Sequence, residues 1–130
     1  MSEIKTDKLT GVGTAGSIVV TGEGNSTTTN LQQGLCKTWV AATIAAVIYD
    51  SFNISSNTDE GTGDYKYGIT NALSRSSAET GAAGTSLGYG AVMRLKTAEA
   101  STTMIDVEMM NSSHSAMDAH HSALVHGDLA

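Results

Sequence analysis

Between the alternating runs around Phe52 and Tyr65 lies SSNTDEGTGD, in which Asp59, Glu60 and Asp64 bracket Gly61 and Gly63. Three carboxylates beside two glycines could hold a divalent cation through oxygen, and a glycine-rich loop could cradle a phosphate. An EF-hand type of calcium loop needs a bidentate Glu at its twelfth position, between helices. Counted from Asn57, that position is Gly68, and the flanks alternate as strands do. A phosphate loop needs Gly-Lys-Ser or Gly-Lys-Thr opening a helix, whereas GTGDY opens a strand and carries negative charge that repels an anion. The turn reading needs no exception. Asp and Asn side chains bond backbone amides two residues on, and Gly accepts positive φ. The segment is therefore expected to reverse the chain between a Phe52/Ile54 strand and a Tyr65/Tyr67/Ile69 strand.

A second concentration of chemistry is His114, His120, His121 and His126, four histidines within thirteen residues, with Asp118 among them. These are zinc donors, or a histidine ring about a threefold axis with His126 as the axial residue. Against this, the adjacent His120 and His121 normally point apart, and loops tolerate His freely. Serine is so abundant that a Ser-His-Asp set carries no information. Cys36 reads as a small, buried apolar side chain, and it excludes an internal disulfide because it is the single cysteine. Met93, Met104, Met109, Met110 and Met117 read as adaptable packing. No cofactor motif is present, and neither a catalytic nor a metal set is assigned.

Small hydroxyls dominate the composition. Ser and Thr supply 32 of 130 residues, with 14 Gly, no Pro and 15% charge. Thr favours strands while Gly and Ser favour turns, a bias suited to a β-rich structural protein. One Trp and one Phe leave little large apolar area for a core, so association with further copies is expected to supply the rest. The net charge of -6, with Lys and Arg scattered singly, lacks the basic footprint of nucleic-acid binding. No apolar run reaches the roughly 20 residues that cross a bilayer, and MSEIKTDKLTG lacks the apolar core of a signal peptide. The expectation is accordingly no nucleic acid and no membrane insertion.

The elements that must position these residues follow from periodicity. Residues 1–28 read as an extended arm in which IKTDKLTG and AGSIVVTG are short apolar patches that cannot bury themselves. Asn30 can cap a helix with Gln33 three residues on. Leu31, Leu35 and Trp39 then follow at spacings of four, which predicts one short helix ending near Val40 or Ala42 and offering an apolar stripe to a subunit interface. From Ala46 the period becomes two. Runs at Phe52/Ile54, Tyr65–Ile69, Leu87–Leu95, Ile105–Met109 and Ser122–Gly127 predict five strands of an antiparallel sheet or small β-sandwich with one wet side. The intervening loops hold no βαβ crossover, which argues against a parallel α/β enzyme.

The combination DSFNISSNTDEGTGDYKYGITNALS, with TNLQQGLCKTWV before it and HGDLA at the end, resembles a domain of tailed-bacteriophage virion proteins, especially of marine and cyanobacterial phages. The likeness extends over about residues 29–130. It departs from the usual form in the Ala/Gly/Ser-rich stretch 75–86 and in the Met- and His-containing region 104–126. The resemblance implies a β-rich, commonly homotrimeric part of a tail fibre, knob or other appendage, located in the virion. Asn53, Ser55, Asp59, Gly61, Gly63, Asp64 and Tyr65 match its turn and Trp39 the aromatic of its short helix; no catalytic residue is carried over. The expected partners are two further copies, other virion structural proteins through the arm, and a host surface receptor. Capsid decoration or a head fibre is the alternative within that class. A carbohydrate-binding module is the alternative outside it, and a hydrolase or lyase on a β scaffold is the third reading.

Overall fold

The computed structural model describes residues 3–13, 18–21, 27–87 and 90–130, and of residues 32, 33, 78 and 87 the backbone alone. The chain divides into two units, Met1–Leu35 and Cys36–Ala130.

In the first unit, β1 (Val19–Thr21) pairs antiparallel with β2 (Thr28–Asn30), Val19 opposite Asn30. The Leu31 amide extends the ladder to the Ile18 carbonyl at 2.9 Å. Ile4, Leu9, Val12, Val19, Val20 and Leu35 are exposed, Val12 completely. A two-stranded ribbon with its apolar side chains in water has little to hold it.

The helix expected from Asn30 to Val40 or Ala42 is overturned. A single turn, α1 (Leu31–Gly34), is all that forms, and Cys36–Ala42 is strand β3. Leu31, Leu35 and Trp39 therefore share no helical stripe. The spacing of four coincided with a stronger period of two. Thr38, Val40 and Ala42 are all wholly buried, while Trp39 and Ala41 are half-buried. Four residues are too few to sustain a helix without packing, and Gly34 ends the turn. The mainly β, antiparallel character remains.

The second unit is built from two four-stranded sheets, in which every pairing is antiparallel. The first runs β4 (Ile48–Phe52), β3, β10 (His120–His126), β7 (Ala82–Leu87). The second runs β5 (Ile54–Gly61), β6 (Asp64–Ile69), β9 (Met104–Met110), β8 (Val92–Leu95). Val40, Ala42, Ala123 and Val125 from the first sheet join Tyr65, Tyr67, Ile69, Ile105, Val107 and Met109 from the second in one core. Alternation along β10 (His121, Ala123 and Val125 buried) and along β6 sets these faces, as the period of two requires.

Three readings of individual runs change. Phe52 and Ile54 do not share a strand, because Asn53 adopts φ +62 between them and the chain passes from the first sheet to the second. The run Leu87–Leu95 is likewise two strands in different sheets, with Gly90 at φ +67 in the connection. The Ala/Gly/Ser-rich stretch read as a loop contains β7. Its Gly84 admits Met93, whose side chain occupies the space a Cβ would fill. At this one position a side chain is excluded because Met93 of the facing sheet takes the room.

Candidate functional site

The turn begins with an Asp. Asp59 Oδ1 accepts from the Gly61 amide at 3.0 Å, and Gly61 opposite Asp64 closes the β5–β6 hairpin. Gly63 sits at φ +71 with its amide donating to Asp118 Oδ1 at 2.8 Å. Its carbonyl accepts from the Met109 amide at 2.7 Å. Next along β6, the buried Tyr65 hydroxyl lies 2.9 Å from the Ile44 carbonyl and 3.1 Å from the same Asp118 oxygen. Burial, then Asp118, push this phenol up to about 12. Asp64 instead turns outward and binds Lys96 Nζ at 2.8 and 2.9 Å.

The carboxylates of the motif thus go to different partners, and the tie to Asp118 across the molecule was not visible from the turn's own spacing. Ser55 is exposed on β5. Asn53 serves the corner between sheets. Its Nδ2 donates to the carbonyls of Lys37 (3.0 Å) and Asn71 (3.1 Å), and its Oδ1 accepts from the Asn71 amide at 2.7 Å.

The histidines separate. His121 is wholly buried, its ring stacked on Tyr65 with centroids 4.4 Å apart. Nδ1 lies 2.8 Å from the Ala119 carbonyl and Nε2 lies 2.6 Å from the Tyr67 hydroxyl. A carbonyl only accepts, so Nδ1 carries a proton, and because burial disfavours the charged ring, Nε2 is left to accept from Tyr67. Burial lowers His121 from its ordinary value, the Ala119 carbonyl opposes this, and His120 adds to it. His120, one residue earlier, faces outward beside Tyr49, whose hydroxyl is 3.0 Å from its Nδ1. His114 occupies a turn at φ +61, and His126 ends β10 opposite Cys36. Among the described residues no three His, Cys, Asp or Glu side chains come together as a metal set.

The two outer faces differ in kind. On the second sheet, cross-strand partners put Lys66 beside Asp106, and Asp64 and Arg94 each beside Glu108. Lys66 pairs with Glu60 and Glu99, Lys96 with Asp64 and Asp106, and Arg94 with Glu108. Asp106 lies beneath this lattice at 0% exposure with neither oxygen properly hydrogen-bonded, and burial raises its carboxyl despite Lys96 at 3.7 Å. On the first sheet, registered partners form the row Phe52, Trp39, Leu124, Ala83, followed by Asp50, Ala41, Ser122, Thr85. Phe52 is 54% and Tyr49 62% exposed, while Trp39 and Leu124 are half-buried. The first row is apolar and aromatic, the second is mostly polar, and Asp50 is the single acidic or basic residue of the two. This face is the candidate functional surface. Comparison with protein-family models, with curated proteins and with solved structures finds no match.

Proposed function

We propose that the chain is a noncatalytic structural subunit of a bacteriophage virion that assembles with copies of itself, as a homotrimer, into a tail fibre or other appendage. The observation that carries this reading is the contrast between the two outer faces. The second sheet presents a lattice of charges paired with one another, whereas the first presents the Phe52–Trp39–Leu124 row. Burying one such side chain contributes about 1.5–3 kcal/mol, and contiguous exposed apolar surface marks interaction sites. The exposed apolar side chains of the first unit, Ile4, Leu9, Val12, Val19, Val20 and Leu35, supply a second adhesive element suited to lacing subunits or anchoring on another virion protein. The virion assignment itself rests on the sequence resemblance, and a head fibre or capsid decoration uses the same surfaces.

Light scattering across a dilution series tests the reading. A mass of three times 13.4 kDa that persists on dilution is expected, with loss of that mass when Trp39 and Phe52 are both replaced by Ser. A folded monomer at every concentration overturns it. It would favour the carbohydrate-binding alternative, for which Tyr49, His120 and Asp50 on the same face would form the platform.

A further inference from the structure

The first sheet has two end strands, β4 and β7, and their chemistry is unusual for edges. Monomeric β proteins blunt their edges with charge, Pro, bulges or very short strands. The second sheet follows that practice: β5 carries Asp59 and Glu60, and β8 is four residues long and carries Arg94. The first sheet does so only in part: β4 is bulged at Tyr49 against β3 and its Asp50 side chain takes up the Ser51 amide, while β7 pairs with β10 without a bulge. Asp50 is the single charge of β4, β7 has none, and the chain contains no Pro.

Strand sense then decides which partner fits. The order β4-β3-β10-β7 is antiparallel throughout, so β4 and β7 run in opposite directions. A second copy rotated about an axis along the strands keeps its strand sense and brings its β7 antiparallel to this β4. The sizes match as well. β4 offers Phe52 and Tyr49, while β7 offers Ala82, Ala83, Gly84 and Thr85. A two-fold pairing of β4 with itself would instead set large residues against large ones and bring the two Asp50 side chains close.

We propose that copies of the chain join head to tail through these edges, β4 of one copy against β7 of the next, continuing the sheet and the apolar row Phe52–Trp39–Leu124–Ala83 from copy to copy. Such an interface is heterologous, and a rotation of one third of a turn closes it into a ring of three. This inference rests on the self-assembling reading above and specifies the surface responsible.

The test uses two variants at exposed positions, Phe52→Lys on β4 and the double substitution Ala83→Lys/Thr85→Lys on β7. Circular dichroism and thermal melts are used to select preparations that fold as the parent does. Native mass spectrometry is expected to give three times 13.4 kDa for the parent and the monomer mass for each variant alone. An equimolar mixture of the two variants is expected to give a species of twice 13.4 kDa, because one intact β4 then meets one intact β7. Dissociation by Phe52→Lys with the β7 variant still oligomeric means β4 pairs with itself and overturns the inference. Oligomers that survive both variants place the contact elsewhere, overturning this inference while leaving the structural-subunit reading standing. A monomeric parent overturns both.

Discussion

Tyr67 and His121 meet in the core through a hydrogen bond of 2.6 Å between the phenol oxygen and Nε2. Both side chains are completely buried, and the Ala119 carbonyl on Nδ1 fixes the neutral tautomer. The phenol is pushed well above its ordinary range, mainly by burial and further by Tyr65 and Asp59, so it remains a donor at any ordinary pH.

The sign of the resulting pH dependence follows from linkage. His121 is lowered in the folded state, so below the unfolded value of about 6.5 the unfolded chain binds a proton that the native chain refuses. Stability is present above that value and falls as pH drops towards the folded one. Thermal melts from neutral to mildly acidic pH are expected to show this decline, with a smaller slope in His121→Gln. Equal slopes in the two proteins would remove His121 as the cause.

Tyr67→Phe leaves the Nε2 acceptor buried without its donor. The expected loss is about 1–3 kcal/mol in urea unfolding at neutral pH.

Asn53 holds the corner between β4 and β5 with three side-chain hydrogen bonds and φ +62. Asn53→Gly keeps the backbone freedom and removes the bonds, whereas Asn53→Ala removes the bonds and adds backbone strain. Asn53→Ala is expected to cost about 1 kcal/mol more than Asn53→Gly, from the left-handed conformation alone. Equal unfolding midpoints would show that the backbone at this corner tolerates a Cβ.

Gly63 and Gly90 both have positive φ, yet differ in surroundings. A Cβ at Gly63 would collide with the Met109 carbonyl and come within 2.9 Å of the Met117 amide, whereas at Gly90 it meets no described atom within 4 Å. Gly90→Ala is expected to cost about 1–2 kcal/mol, the conformational penalty. Gly63→Ala should cost several kcal/mol or prevent folding, as measured by denaturant midpoint.

Asp106 is raised because burial outweighs the attraction of Lys96. Between the unfolded value near 3.8 and the raised folded one, the native state holds the extra proton. Its ionisation therefore works against folding as pH rises. Asp106→Asn is expected to be more stable than the parent at neutral pH, with the gain disappearing below about pH 4. A loss of stability at neutral pH would instead mean that the ion pair with Lys96 dominates.

By itself the sequence determined the period-two faces. Tyr65, Tyr67 and Ile69 in β6 and Ile105, Val107 and Met109 in β9 alternate strongly enough that adjacent side chains must take opposite sides of a sheet. It also determined a local turn, since Asp59 reaches the Gly61 amide two residues away.

Tertiary structure decided the rest, because the physical causes are remote in sequence. Leu31, Leu35 and Trp39 satisfied a helical spacing. However, pairing of Trp39 with Phe52 and Leu124 on either side drew the later part of that segment into a sheet, as long-range packing overrides weak local preference. Asn53 split an alternating run because its side chain finds Lys37 and Asn71. The small residues from Ala82 to Ser86 form a strand because they pair with β10, and Gly84 among them leaves room for Met93. His121 became a buried, neutral acceptor and His120 an outward neighbour of Tyr49 because a strand sends adjacent side chains apart. Only the order of strands made β4 and β7 the two ends of one sheet.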